Sequence, residues 1–99
     1  MRRRPPIGNR DGNEGAIVHA LEAAGCSVAR IAGDAGVPDL VVGVRGRTEL
    51  LEVKNPAPER GRASKRRESQ AAFRRTWRGQ AILEVWTELE ALEALGLVR

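Results

Sequence analysis

The feature that most constrains this chain is a pair of strand-like segments that only Arg45 and Gly46 separate. The first run, 38–44, is rich in valine, and the second, 47–54, contains Leu50 and Leu51. Runs of this length and composition predict strands, and a two-residue connection ending in glycine is typical of a tight β-hairpin. The chain is therefore expected to fold around an antiparallel hairpin.

The remaining segments predict helices and single strands around this hairpin. The fold class that they indicate is α/β, an αβββαβ core with a mixed central sheet flanked by helices, plus a C-terminal helix. One domain over 11–99 is expected, preceded by a basic flexible arm over 1–10. Before the hairpin we expect a helix over 12–25, a strand over 28–31 and a turn over 33–36. After it we expect a loop over 55–62, a helix over 67–78, a strand over 81–86 and a last helix. Thr87 and Glu90 are expected to begin that last helix as a capping box, and Gly96 to end it.

Several classes of protein are excluded by composition. The sequence has no apolar run long enough to span a membrane and no apolar core of a signal peptide after its basic start, so a soluble, cytoplasmic protein is expected. A single cysteine, Cys26, cannot form an internal disulfide, and with a single histidine, His19, it cannot build a thiolate or imidazole zinc site. We expect Cys26 to be a small buried side chain and His19 a partly exposed helix residue.

The charge of the chain indicates a polyanionic partner. Its net charge is +4, and all of its 17 basic residues except Lys54 and Lys65 are arginine, which suits bidentate contact with phosphate. Residues 60–78 hold eight bases and one acid, whereas 84–93 hold four glutamates and no base, so opposite ends of opposite charge are expected. A solvated helix face, or an arginine excess from a warm habitat or a GC-rich genome, is the alternative. The candidate DNA-binding residues are Arg2, Arg3, Arg4, Arg10, Arg62, Ser64, Lys65, Arg66, Arg67 and Arg74.

Two carboxylates are brought together if the hairpin turn is Arg45-Gly46. Partner numbers then sum to 91, so Val44 faces Arg47 and Asp39 faces Glu52, with their Cβ atoms about 5 Å apart on one face. Like charges at this distance need a cation between them, and a carboxylate within a buried strand is costly to desolvate. Carboxylate and carbonyl oxygens suit Mg²⁺ or Mn²⁺.

Lys54 lies on the same face as Glu52, about 7 Å farther along the strand. Its ammonium group could approach a bound phosphate or a metal-bound water. The alternative is an edge strand protected by alternating charges.

Two helical residues are candidates for the same site. Glu14 shares a helical stripe with Ile17, Val18 and Leu21, so it is expected to point inward and could complete a metal shell. The alternative is a capping box in which Asp11 is the N-cap and Glu14 its third residue. Gln70 shares a stripe with Phe73, Arg74 and Trp77, where it could support the site or only cap the edge of the core. Ser64 and Lys65 are expected in the loop before this helix.

These motifs together resemble the PD-(D/E)XK nuclease superfamily. The matching elements are Glu14 in a first helix, Pro38-Asp39 opening a strand, Glu52-Val53-Lys54 on the next strand and Gln70 on a following helix. The chain is most similar to the compact VRR-NUC branch and to small phage or archaeal Holliday-junction resolvases. The resemblance covers about 11–90, and a phage-encoded protein is compatible with it.

The resemblance implies a restriction-endonuclease-like fold and a Mg²⁺-dependent endonuclease. By likeness, Asp39, Glu52 and the Val53 carbonyl bind the metal, Glu14 binds through water or as a second-metal ligand, Lys54 orients the attacking water, and Gln70 supports the site. Branched DNA and a homodimer are the expected partners. Two other classes stay open: a non-catalytic nucleic-acid-binding module on a nuclease-like scaffold, and a subunit that binds a protein partner through Glu88, Glu90 and Glu93.

Overall fold

A computed structural model describes residues 13–31, 36–54 and 62–98, with 62–67 as backbone only. The expected basic arm over 1–10 and most of the loop over 55–62 lie outside these ranges. The elements, in chain order, are α1 (Glu14–Ala23), β1 (Ser27–Arg30), β2 (Leu40–Val44), β3 (Arg47–Val53), α2 (Arg62–Thr76), β4 (Ile82–Val85) and α3 (Glu88–Ala94).

The four strands form one mixed sheet in the order β1-β2-β3-β4. Strands β1, β2 and β3 are antiparallel, and β4 runs parallel to β3. The predicted α/β class, the mixed sheet and the order αβββαβα are therefore confirmed.

The hairpin has the predicted register. Val44 pairs with Arg47 and Leu40 with Leu51. Arg45 and Gly46 have φ values of 50° and 82°, and two consecutive residues with positive φ are the signature of a type I′ turn, whose twist matches that of the strands. Glycine tolerates this backbone conformation without strain.

One face of the sheet carries the apolar core. Ile17 and Leu21 of α1 and Leu95 after α3 are buried together with Leu40, Val42 and Val44 of β2, Leu51 and Val53 of β3 and Val85 of β4. This face follows from alternation, because every second residue of β2 is buried. Cys26 belongs to the same cluster, and burial raises the pKa of its thiol. His19 is exposed on α1, so the ordinary structural roles expected for both residues are confirmed.

Helix α2 begins earlier than the sequence predicted. The expected loop over 55–62 and helix over 67–78 are wrong at this boundary, since α2 starts at Arg62 and ends at Thr76. Ser64 and Lys65 therefore lie in the helix rather than in a loop. Residues 62–69 carry no large apolar side chain, so no periodicity marks them, although arginine, alanine and lysine favour helices.

The other two helices begin close to the predicted positions, but α1 differs in its cap. Its N-cap is Asn13, so Glu14 is the first residue of the helix and the proposed Asp11 capping box is wrong. At α3 Thr87 is the N-cap, as predicted, and its hydroxyl accepts from the Glu90 N–H at 3.1 Å. The Glu90 carboxylate accepts from the Trp86 N–H at 2.6 Å rather than from that of Thr87, so the reciprocal half of the box differs from the prediction. No helix within the described ranges is both long and apolar enough to cross a membrane.

Candidate active site

Asp39 and Glu52 lie on the face of the sheet opposite the apolar core. The observed register ends with Leu40 opposite Leu51, both fully buried in the core, so the next pair, Asp39 and Glu52, points the other way. Asp39 is 4% exposed and Glu52 1%. Both carboxylates are therefore buried next to the last observed pair of the hairpin, and the direct pairing of Asp39 with Glu52 stays a prediction.

Backbone contacts fix the position of Asp39 just before β2. Its N–H donates to the Leu51 carbonyl at 3.0 Å, and its own carbonyl accepts from the Ile31 N–H at 2.9 Å. Its side-chain Oδ2 accepts from the Val53 N–H at 2.8 Å. These bonds hold the carboxylate against β3, next to Glu52.

Gln70 connects α2 to the site. Its Nε2 donates to Glu52 Oε2, and its Oε1 accepts from Lys54 Nζ at 3.1 Å. Among the described side chains of α2, 68–76, Gln70 is the buried one. One amide thus bridges the carboxylate and the ammonium of the Glu-x-Lys motif, which places Gln70 inside the site rather than at the edge of the core.

Lys54 lies at the end of a central strand. Because β3 lies between β2 and β4, the alternative of an edge strand protected by charges is wrong. The Lys54 side chain is 24% exposed and its Nζ is 3.9 Å from Glu84 Oε2. Its ammonium therefore lies among Gln70, Glu84 and the surface, where an incoming anion can reach it.

The donors at this point suit a hard cation. Asp39 and Glu52 are two buried carboxylates, and the Val53 N–H reaches Asp39. In a regular strand the Val53 carbonyl points to the same side as its N–H. Such oxygen donors are the ligands that Mg²⁺ and Mn²⁺ take in proteins. Asp39, Glu52 and the Val53 carbonyl therefore fit the expected metal.

Glu14 is buried, as its helical position predicted, and is 3% exposed. Its Oε2 lies 3.5 Å from Arg30 Nε, so a cation of the protein already approaches this carboxylate. Within the described ranges, no three His, Cys, Asp or Glu side chains are grouped closely enough to hold a metal ion. The role of Glu14 as a direct ligand stays a prediction.

Asn13 is a residue of this region that the sequence did not identify. Its Nδ2 donates to the carbonyls of Lys54 at 2.7 Å and Trp86 at 3.0 Å. The side chain thus joins the start of α1 to the residues that follow β3 and β4, and so places Glu14 at the same end of the sheet as Lys54. The only available signal was an asparagine before a helix, which ordinarily indicates a cap.

Glu84 is a second missed residue. It is the register partner of Glu52 on β4, and its Oε2 accepts from Arg74 Nη1 at 2.6 Å. Arg74 was expected to contact phosphate, and in the structure it is paired with this glutamate. One acid of the segment 84–93 therefore meets the basic helix, so the expected separation of charge is incomplete at this point.

The other predicted phosphate contacts are only partly described. Arg2, Arg3, Arg4 and Arg10 lie outside the described residues. The backbone of the remaining five lies on α2: Arg62, Ser64, Lys65, Arg66 and Arg67. Their common helix begins at Arg62 and continues to Gln70, so these positions precede Gln70 on the same helix.

Comparison of the chain with protein-family models, with curated proteins and with solved structures found no match. The function is therefore argued from the geometry of the site and from the resemblance of its motifs.

Proposed function

We propose that this protein is a Mg²⁺-dependent endonuclease of the PD-(D/E)XK type that hydrolyses DNA phosphodiester bonds and selects branched DNA by its shape. The observation that carries the proposal is the pair of buried carboxylates, Asp39 and Glu52, held on one face with Lys54 and joined to it through Gln70. Buried carboxylates need charged or hydrogen-bonding partners, and in this proposal a hard divalent cation is one of them.

Each residue has a role in this proposal. Asp39, Glu52 and the Val53 carbonyl hold the metal, and Glu14 supports it through water. When bound, Mg²⁺ polarises a phosphoryl oxygen and lowers the pKa of a coordinated water. Lys54 stabilises negative charge on the phosphate and orients the attacking water, while Gln70 fixes the positions of the Glu52 carboxylate and the Lys54 ammonium.

Contacts with the DNA backbone supply affinity without reading bases. The positions on α2 and the arm, all rich in arginine, are suited to this task. We also propose a homodimer, because two sites related by a twofold axis could cut symmetric strands of a four-way junction. Intracellular action on host or phage DNA is part of the same proposal.

The decisive experiment is cleavage of labelled four-way junction, flap and linear duplex with Mg²⁺, Mn²⁺ or a chelator. Asp39→Ala and Glu52→Ala are expected to lower the cleavage rate by at least about 100-fold. DNA binding should stay unchanged or become tighter, because a negative charge near the phosphate is removed. Glu88→Ala, a change at an exposed glutamate of α3, is the control and should cleave normally. Cleavage by the Asp39 or Glu52 variant in Mg²⁺ would contradict the proposal.

A non-catalytic nucleic-acid-binding module is the second candidate. Val53 N–H and Gln70 Nε2 already donate to the two carboxylates, and a scaffold that never takes a metal would need such internal partners. This candidate predicts that DNA binding persists in chelator, that no cleavage occurs with either metal, and that Lys54→Met has no effect beyond the loss of one charge.

A further inference from the structure

Arg74 and Glu84 form a pair at the rim of the candidate active site. We propose that Glu84 is the counter-ion that Arg74 releases when a DNA phosphate binds, so that Arg74 and Lys54 form the phosphate subsite of the enzyme. The inference rests on the proposed function, since it names the group that receives the phosphate beside Asp39 and Glu52.

The pair is accessible to an exchanging anion. Arg74 Nη1 lies 2.6 Å from Glu84 Oε2, and the side chains are 34% and 44% exposed. Ion pairs at this degree of exposure contribute little net stability, because water and salt compete for both partners. A phosphate can therefore replace the carboxylate without a large loss to the fold.

In this pair one terminal nitrogen of the Arg74 guanidinium has an acceptor and the other has none among the described residues. Arg74 Nη2 is buried and has no hydrogen-bond acceptor among the described residues. A buried donor without an acceptor is unfavourable. A phosphate offers two oxygens to the planar fork of an arginine, whereas Glu84 engages a single nitrogen here. If the guanidinium turns as Glu84 leaves, so that Nη2 reaches the phosphate, the exchange satisfies a donor that the resting pair leaves unpaired.

The position of Glu84 links the exchange to the reaction centre. Glu84 pairs in register with Glu52 on the neighbouring strand, and its Oε2 is 3.9 Å from Lys54 Nζ. A phosphate that replaces the Glu84 carboxylate would lie between Arg74 and Lys54, one strand away from Glu52. Without the exchange, Glu84 shields both cations and repels the DNA backbone.

A double-mutant cycle on the full-length protein tests the exchange. The dissociation constant for a short labelled duplex is measured in chelator, which prevents cleavage, for wild type, Glu84→Gln, Arg74→Gln and the double variant. We expect Glu84→Gln to tighten DNA binding about five-fold when Arg74 is present, and less than about two-fold when Arg74 is replaced by glutamine. Arg74→Gln should weaken binding and lower the salt slope by about one.

Glu93→Gln is the matched control, because it removes the same charge from an exposed position of α3. It should tighten binding by less than about two-fold in either background, as an unspecific charge effect does. The inference would be overturned if Glu84→Gln tightened DNA binding equally with and without Arg74. It would also be overturned if Glu93→Gln tightened DNA binding as much as Glu84→Gln does. Thermal melting of each variant checks that the fold is intact.

Cleavage of the same duplex and of a junction by wild type in Mg²⁺ separates the two proposals. Cleavage together with equal gains would leave the nuclease standing and reject the role of Glu84. A gain that requires Arg74, in a protein that cleaves no substrate, would reject the nuclease and keep the phosphate subsite. Failure of wild type to bind any DNA would reject both.

Discussion

The two faces of the sheet differ in the kind of side chain that packs against them: one face is apolar and the other is largely polar. On the core face, α1 and the end of α3 meet the strands through fully buried leucine, isoleucine and valine side chains, among them Ile17, Leu21 and Leu51. On the site face, three of the contacts between α2 and the strands are polar. Gln70 bonds to Glu52 and to Lys54, and Arg74 bonds to Glu84. The apolar residues of that face, Val41, Leu50 and Ile82, are only half-buried.

The difference shows which face holds the fold and which serves the proposed chemistry. Apolar burial is not directional and contributes most of the stability. Polar contacts to α2 contribute less net free energy, because water competes for the same groups. The polar groups that join α2 to the sheet are also the proposed catalytic and phosphate-binding groups. A charged ligand that binds them should therefore change the contacts that hold this helix on the sheet.

Removing a core side chain should have the largest effect on stability. Leu21→Ala is expected to lower the free energy of unfolding by about 2–5 kcal/mol, since Leu21 is fully buried and a cavity would remain. Leu89→Ala makes the same chemical change at a side chain that is 56% exposed, and should cost less than about 0.5 kcal/mol. Urea denaturation measures both values. Equal losses would contradict the assignment of the core to this face.

Gly36→Ala should have an intermediate effect on stability and a strong effect on activity. Gly36 has a φ of 82°, and a Cβ there would overlap the Ser69 carbonyl of α2. We expect a loss of about 1–3 kcal/mol and a fall in cleavage of about 10-fold or more, because Gln70 would be displaced.

The control for this substitution is Gly96→Ala, at a φ of 75° with no atom within 4 Å of the added Cβ. It shares the backbone strain without the overlap, so it should lower stability by about 1 kcal/mol and leave the specific activity unchanged. Similar activity losses in the two variants would show that α2 does not need its close approach to Gly36.

Phe73→Ala should have the smallest effect. Phe73 is half-buried on α2 and stacks on Trp77 with ring centroids 5.2 Å apart. We expect a loss of about 1 kcal/mol, mainly from the stacking contact, as measured by urea denaturation. A loss of 3 kcal/mol or more, on the scale of about 3–5 kcal/mol for a phenylalanine in a core, would show that the site face also holds the fold.

Local sequence signals were sufficient for the hairpin and its carboxylates. A two-residue turn ending in Gly46 fixes the register, which runs as predicted as far as Leu40 and Leu51, the pair next to Asp39 and Glu52. The apolar residues of β2 and β3 also identified five of the eleven buried core residues in the described part of the chain. These predictions succeeded because each depends on residues close together in the sequence.

Contacts between distant segments could not be predicted in the same way. The start of α2 was missed because its first turns carry no apolar stripe. Asn13 acts on Lys54, 41 positions along the chain, and Glu84 on β4 meets the same lysine at the end of β3. The parallel pairing of β3 with β4 was needed to bring Glu84 beside Glu52, and no short motif specifies that pairing.

The type I′ turn has a consequence far from its own position. The strands run about 17 Å from Arg45-Gly46 to the paired acids, yet a slip of the pairing by a single residue would send Asp39 and Glu52 to opposite sides of the sheet. If the proposed function is correct, a substitution at Gly46 that favours another loop length should abolish cleavage without changing any residue of the proposed active site. Changes in hairpin length should be tolerated only when both strands lengthen by the same number of residues. The turn thus sets the geometry of the proposed active site from a distance.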